Sequence, residues 1–438
     1  MAKGKQMGLS RRQLLIGAGL AGAAGMTGLT ACGGSGSGGG SDDGSAALTF
    51  TWWGNEVRNA NTTEAIEAYT KANPGVTIEP QPGEWNSYWD RLATQTAGNT
   101  SPDIIQMDMA YISEYGDRGA LLDLEEHGID TSKFLPGTVD SGRIDGTLYG
   151  VNAGINTPIL MANPELFEKA GMDMPDDTTW TWDDLMEIAA EVAKGADLDF
   201  GASSVFSADS MFSAFLRQNG KELFTPEGLG FEVADATAWF DMMMRFFEAG
   251  AIGTAAQISE ESTKTLDQST LAVGTGAMQV YWSNQVEAVN NASGKEMALL
   301  RFPSTTGKAT DRKAWYKASM LWSVSSRTEE PEAAVALINW WMNSTESGMI
   351  NLAERGIQPN TEVQAAIEGE LSPAQQAVSK FISDIEPELA ATPIAPLPGG
   401  GTLGAVMFRY QTEVLFGRTS TADAAQGFVD EVTSNLTV

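Results

Sequence analysis

SPDIIQMDMAYISEYGDRGALLDL, residues 101–124, opens on a Ser-Pro-Asp turn and runs through Ile104-Ile105-Gln106-Met107, short and apolar enough for a buried strand. The charge of Asp108 falls where that strand should stop. In an open α/β sheet the carboxyl edges of the strands face a crevice where ligands bind, so Asp108 is expected at such an edge. An aspartate there also suits the cap of the following helix, and the sequence leaves both roles open. A helix begun at that point would bring Tyr111 to the same opening.

Working outward, Leu48–Trp53 alternates as a strand does, and residues 56–73 read as a helix halted by Asn73-Pro74-Gly75. Val76–Glu79 reads as a second short strand, and residues 85–97 carry Trp85, Tyr88, Trp89 and Leu92 at helical spacing. A second series begins near Asn156. It has a short helix over 164–170 closed by Gly171, a capping-box start at Thr181-Trp-Asp-Asp184, and helices over 210–219 and 233–248. Residues 277–281 read as a buried strand with Trp282 at its end. Residues 297–302 and 318–324 read as further strands, the latter leading to a helix over 331–342 with proline in its first turn. Alternation of this kind predicts βαβ units and mainly parallel sheets. Roughly 390 residues beyond a Gly/Ser-rich tether are too many for one core, which predicts two lobes.

Several segments also share a family pattern: WWGNEVR at Trp52, PDIIQMD with AYISEYGDRGALLDL, GEWNSYWDRLATQ at Gly83, and LYGVNAGINTPILMANPELFEKAGM at Leu148. TWTWDDL at Thr179, GAMQVYWSNQ at Gly276 and ASMLWSVSSRTEEPEAAVALINWW at Ala318 continue it. In order and spacing the chain resembles the extracellular solute-binding proteins of ABC importers, in the carbohydrate-binding group called family 1. The resemblance implies an α/β, two-lobed periplasmic-binding-protein-like fold with a hinge and the ligand cleft between the lobes. It implies that residues 48–155 with about 297–344 form lobe 1, and about 156–296 with 345–438 form lobe 2. It places Trp282 where relatives commonly stack a ring on sugar. Asn152 stands where relatives often have proline in a YGxP pattern, a departure that changes the hinge and brings an amide toward the cleft.

The amino terminus reads as an export signal over residues 1–31: a basic start (Lys3, Lys5, Arg11, Arg12), then an uncharged stretch from Gln13 to Ala31. Arg11-Arg12 within SRRQLL resembles a twin-arginine signal, with Leu14 where phenylalanine is usual. Leu29-Thr-Ala-Cys32 resembles a bacterial lipobox, which implies a lipid anchor on Cys32 and a place on the extracytoplasmic face of the membrane. A single uncleaved transmembrane helix is the rival reading. Residues 33–45, GGSGSGGGSDDGS, form a flexible polar tether, so residues 32–47 serve as anchor and spacer.

Charge and composition narrow the chemistry. Removing the signal, with four basic residues and no acids, takes the formal charge from −30 to −34. So acidic a body does not favour nucleic acid or an anionic lipid surface. Cys32 is the sole cysteine, which excludes an internal disulfide and a cysteine metal cluster. The sole histidine, His127, lies in a polar Glu-Glu-His-Gly run without a zinc or triad pattern around it. The glycines form neither a P-loop nor a strand-linked GxGxxG. No cofactor or metal is expected, nor a catalytic role. Paired carboxylates of a glycosidase, such as Glu84 with Asp108, remain open because sequence gives no distance.

A site for a polyhydroxyl ligand wants flat aromatic faces and planar polar groups. Trp53, Trp85, Trp282 and Trp315 are candidates of the first kind, with Tyr111 beside Asp108. Candidates of the second are Asn55, Arg58, Glu84, Asp108, Asn152, Asn156 and Asn284. Alternation sends Trp52 and Trp53 to opposite faces, and Trp53, next to Gly54 at the strand's end, is the one expected to face ligand. Trp85 and Trp89 lie four apart, a spacing that suits packing or binding. Trp340-Trp341 is expected in the core, and Trp180 and Trp182 are expected to staple a helix to the second lobe. The expected protein is a monomeric carbohydrate-capturing lipoprotein that partners an ABC permease. The rivals are a binder of glycerol-phosphate esters, an exported glycan-degrading enzyme and a polysaccharide adhesin.

Overall fold

The computed structural model describes residues 45–436, Pro136 apart. The expected signal, Cys32 and most of the tether lie outside the described residues.

Two sheets organise the described chain. The first has five strands in the order Val76–Gly83, Ala46–Trp53, Ile104–Met107, Leu321–Val324, Val151–Asn152. The second has four, in the order Ala298–Leu300, Pro158–Ala162, Gly276–Trp282, Phe200–Ser203. Both are mainly parallel with one reversed strand. Leu321–Val324 runs against both its neighbours, and Pro158–Ala162 against both of its own. Each reversed strand is the one the chain enters directly after crossing from the other sheet.

The predicted helices follow their end signals. Asn55 caps Glu56–Ala72 by accepting from the Arg58 amide, and Asn73 ends it. Gly171 ends Pro164–Ala170 in the left-handed region at φ 73°. Thr181 and Asp184 form the reciprocal capping box of Trp182–Ala196.

Each sheet has its own core. Around the first, Phe50 meets Trp52, Trp322 and Trp341 with ring centroids 5.1–5.6 Å apart, mostly edge to face. Each such pair adds about 0.5–1.5 kcal/mol beyond area burial. Trp341 is thus core, as its helical position predicted. Around the second sheet, Trp182, Phe206, Phe212 and Phe215 surround Trp239, and the carboxyl-terminal helix Thr421–Asn435 adds Phe428 to the same core. Trp180 and Trp182 are both buried there.

The outgoing and returning crossings lie side by side. Ile155–Asn156 pairs antiparallel with Lys317–Ala318, Lys317 opposite Asn156. A third segment joins them, since Ile155 and Ile357 exchange backbone hydrogen bonds of 2.7 and 3.1 Å. Backbones approach so closely here that a Cβ on Gly154 would lie 2.1 Å from the Arg355 carbonyl oxygen. The return to the first sheet was expected from about Met297. Ala298–Leu300 instead pairs with Pro158–Ala162 in the second sheet, and the crossing comes at Lys317. Strand pattern shows that such a segment is buried but not which partner buries it. Similarly, Thr345–Asn351 packs on the first sheet's helices Glu56–Ala72 and Pro331–Asn343, not with the second lobe expected after Ser344.

Candidate functional site

Between the two sheets lies a cavity of about 120 Å³. From the first sheet it takes Asp108, Met109 and Ala110; from the second, Asp209, Ser210, Phe224 and Trp282; and from the returning crossing, Trp315 and Lys317. Asp108 ends the strand Ile104–Met107 and caps the helix Met109–Asp117, so both roles left open by sequence hold at once. Its Oδ1 accepts from the Ala110 amide at 2.9 Å, and its Oδ2 lies 3.4 Å from the Lys317 ammonium. That ammonium also stands 4.8 Å above the centre of the Trp282 ring. Lys317 therefore ties a carboxylate of one sheet to an aromatic face of the other. Trp315 is buried, with the Arg217 guanidinium 5.2 Å from its ring centre.

Asp209, the first residue of the helix Asp209–Gln218, keeps an exposed side chain in the recess. The protein mass packed about the recess still desolvates the carboxyl in part and pushes it up from the usual value, with Lys317 pulling it partly back. On the crossing ladder, the Asn156 amide donates to Asn284 Oδ1 at 3.0 Å while its own Oδ1 is buried without a partner. These two asparagines stand behind the Trp282 turn.

A second aromatic group lies on the first sheet's side. Tyr111 stacks on Trp89 with centroids 3.9 Å apart, and Trp85, 42 % exposed, stands edge-on to Trp89. Trp53 lies beneath, 8 % exposed, within 5.0–5.5 Å of Trp85, Tyr88 and Trp89. The ring expected to face ligand is thus a support for the rings above it. Burial and the Asp108 charge push the Tyr111 hydroxyl upward, so it remains a neutral donor at ordinary pH.

The other sequence candidates stand elsewhere. Asn55 is spent on the helix cap. Arg58 is buried and held by Glu354 at 2.9 Å and by the Trp53 carbonyl, so its charge is neutralised away from the cavity. Asn152 is 2 % exposed, accepts from the Gly154 amide and donates to the Thr138 carbonyl, which makes it a brace of the crossing turn. Glu84 is an exposed residue preceding the helix Trp85–Ala97. Sequence reasoning missed Asp209, although a strand (Phe200–Ser203) followed by Ser-Ala-Asp-Ser before an apolar helix is the same edge signal that singled out Asp108. It also missed the loop Thr392–Gly401, where Pro393, Ile394 and Pro396 close one side of the cavity. Among the described residues, no group of His, Cys, Asp or Glu is arranged to hold a metal ion.

A two-lobed α/β body, hinged by paired crossings around a recess that both sheets wall, is the architecture of a solute-binding protein. The chain belongs to the bacterial extracellular solute-binding protein family, whose model matches residues 64–377. It is 26 % identical over 182 residues to the arabinooligosaccharide-binding protein of Bacillus subtilis (strain 168), covering 40 % of this chain and 41 % of that one. The chain spans about two fifths of the length of the first curated relatives it matches. Among solved structures, an extracellular solute-binding protein family 1 member from Alicyclobacillus acidocaldarius superposes with TM-score 0.67 at 24 % identity, over 90 % of this chain and 99 % of that one. The periplasmic oligogalacturonide-binding protein of Yersinia enterocolitica, solved with saturated digalacturonic acid, gives TM-score 0.77 at 17 % identity, over 89 % and 98 %.

Proposed function

We propose that this chain captures a carbohydrate between its lobes and delivers it to the permease of an ABC importer, working as a monomer held to the outer face of the cell membrane through lipidated Cys32. The observation that carries the reading is the cavity where the Trp282 face, Asp108, Lys317 and Asp209 converge from both sheets. Sugar rings present apolar C–H faces and a rim of hydroxyls. An aromatic face matches the first, and carboxylates that accept with an ammonium that donates match the second. Closure of the lobes around such a guest replaces water on both sides and presents the permease with a surface the open form lacks. The residues proposed for the site are Asp108, Asp209, Trp282, Trp315 and Lys317, with Trp85 and Tyr111 on the rim.

A glycerol-phosphate ester needs a basic cleft, for which the sequence offers Arg58, Arg143 and Lys317; that reading loses support, because Arg58 is held by Glu354 and Arg143 by Glu125. Lys317 alone faces the two cavity carboxylates. A second reading, glycan cleavage, is favoured by one observation: Asp108 and Asp209 wall the same cavity from opposite sheets. The test is a thermal-shift screen of the mature protein against a sugar panel, followed by chromatography of the stabilising sugar after prolonged incubation. Stabilisation with the sugar recovered whole supports capture, release of shorter products supports the enzyme, and no stabilisation by any sugar overturns the proposal.

A further inference from the structure

Three recesses meet at Gly404. One is the cavity between the sheets; the second, of about 310 Å³, lies along Ser207, Asp209, Tyr281, Trp282 and Gln285; the third, of about 480 Å³, lies at the carboxyl end of the strand Phe200–Ser203. Gly404 stands in the wall of all three, and a Cβ built on it meets nothing within 4 Å, so the junction is open space. The third recess is a built chamber. Ser204, in the left-handed region at φ 59°, turns the chain away from the strand to open it. Phe206 and Phe408 give it aromatic walls.

The helix Leu403–Leu415 runs along the chamber with Gly404, Phe408 and Gln411 on one face, a reach of roughly 10 Å at 1.5 Å per residue. Gln411 is 1 % exposed and its Oε1 has no hydrogen-bond partner. That oxygen is closed off as the side chain stands, and a turn of the Gln411 amide toward the recess is what presents the unpaired acceptor to a guest's hydroxyl. Glu261, the one charged residue lining the chamber among the described residues, is already engaged. The Glu261 carboxylate accepts from the Thr270 amide at 3.0 Å and Gln279 Nε2 at 2.9 Å, and Lys264 lies 3.3 Å away. Nothing there recruits a charged sugar.

Resting on the carbohydrate reading above, we infer that the three recesses form one channel and that the ligand is a linear, neutral oligosaccharide of three or more rings. One end lies against Trp282, and the other reaches past Gly404 to donate a hydroxyl to Gln411 Oε1. The cavity between the sheets, at about 120 Å³, falls short of the about 300–1,000 Å³ usual for ligand sites, and the two recesses that adjoin it at Gly404 supply the missing room.

The test is calorimetric titration of the mature protein with arabino-, malto-, cello- and galacto-oligosaccharides of one to six units. In the series that binds, affinity should rise about tenfold or more from dimer to tetramer, a gain of about 1.4 kcal/mol. Gly404→Leu, whose side chain enters the junction, should collapse that ratio toward unity. Gln411→Leu should weaken the tetramer by a similar factor while raising the melting temperature of the free protein, since it removes an acceptor that has no donor. Equal affinity for dimer and tetramer, or a ratio that survives both substitutions, overturns the channel and leaves carbohydrate capture standing. Failure of every series at every length overturns both.

Discussion

The Trp282 ring lies in the wall of two recesses, under the Lys317 ammonium, so its removal tests the site more sharply than any other single change. In the free protein Trp282→Ala forfeits the ammonium-over-ring contact, about 0.5–1 kcal/mol at an accessible position. In the complex it forfeits more, because a tryptophan desolvated by its partner costs about 2 kcal/mol or more when truncated. That is roughly a thirtyfold rise in Kd. A sugar supplied at 100 times the wild-type Kd stabilises the wild type by about 2.7 kcal/mol; the variant, at about three times its own Kd, gains only roughly 0.9 kcal/mol. Chemical denaturation with and without sugar reads both quantities, with the change in midpoint converted through an unchanged slope. A variant that kept the full stabilisation by ligand would refute the stacking role. A variant that lost several kcal/mol without ligand would show that the ring belongs to the core.

Three further outcomes follow from groups already placed. Desolvation raises the Asp209 carboxyl in the folded state, so the folded form holds that proton more tightly than the unfolded chain. Its favourable contribution is complete below the unfolded value of about 3.9 and is lost as pH rises through the folded one, so Asp209→Asn should raise the melting temperature at pH 7 and lose that advantage below about pH 4. A penalty at pH 7 would count against it. Glu388 accepts from Arg301 Nε at 2.9 Å and from Arg312 Nη1 at 2.7 Å, and Arg312 is 1 % exposed. Arg301 keeps Asp177 at 3.1 Å, but Glu388→Ala strands the buried Arg312 and should cost about 3–5 kcal/mol in urea denaturation; a loss under about 1 kcal/mol would show that the carbonyls around Arg312 suffice. Gly154→Ala would press a methyl against the Arg355 carbonyl, so small-angle scattering should detect altered closure on adding ligand, and unchanged compaction would contradict a tight crossing.

The sequence carried much of the fold because local signals and tertiary environment agree. Asn73, Gly171 and the Thr181–Asp184 box end or begin helices where their chemistry requires. Pairing was less legible: Ala298–Leu300 and Leu321–Val324 are both short apolar runs, and only spatial neighbours decide that they belong to different sheets. The site divides along the same line. Asp108, Trp282 and Trp315 stand at strand edges and crossings, and edge position is readable. Trp53 and Arg58 occupy equally suggestive positions, but Trp85 and Trp89 cover the one and Glu354 neutralises the other, and those partners were visible only in three dimensions. Asp209 carries the same edge signal as Asp108 but does not stand out by it, since an aspartate at a helix start also looks like an ordinary cap.

The reversed strand of the first sheet has a consequence for how the chain is made. Ile104–Met107 lies between Ala46–Trp53 and Leu321–Val324, and Leu321 pairs with Met107 across nearly half the polypeptide. While the nascent chain is being synthesised, this amino-terminal half keeps an open strand edge and lacks the Trp322 and Trp341 rings that complete the Phe50 cluster. The loop that must close before that pairing repays its entropy is long, which slows folding and leaves an unfinished edge for chaperones to shield. Truncation anywhere before Val324 should therefore yield an aggregating fragment rather than a free-standing lobe.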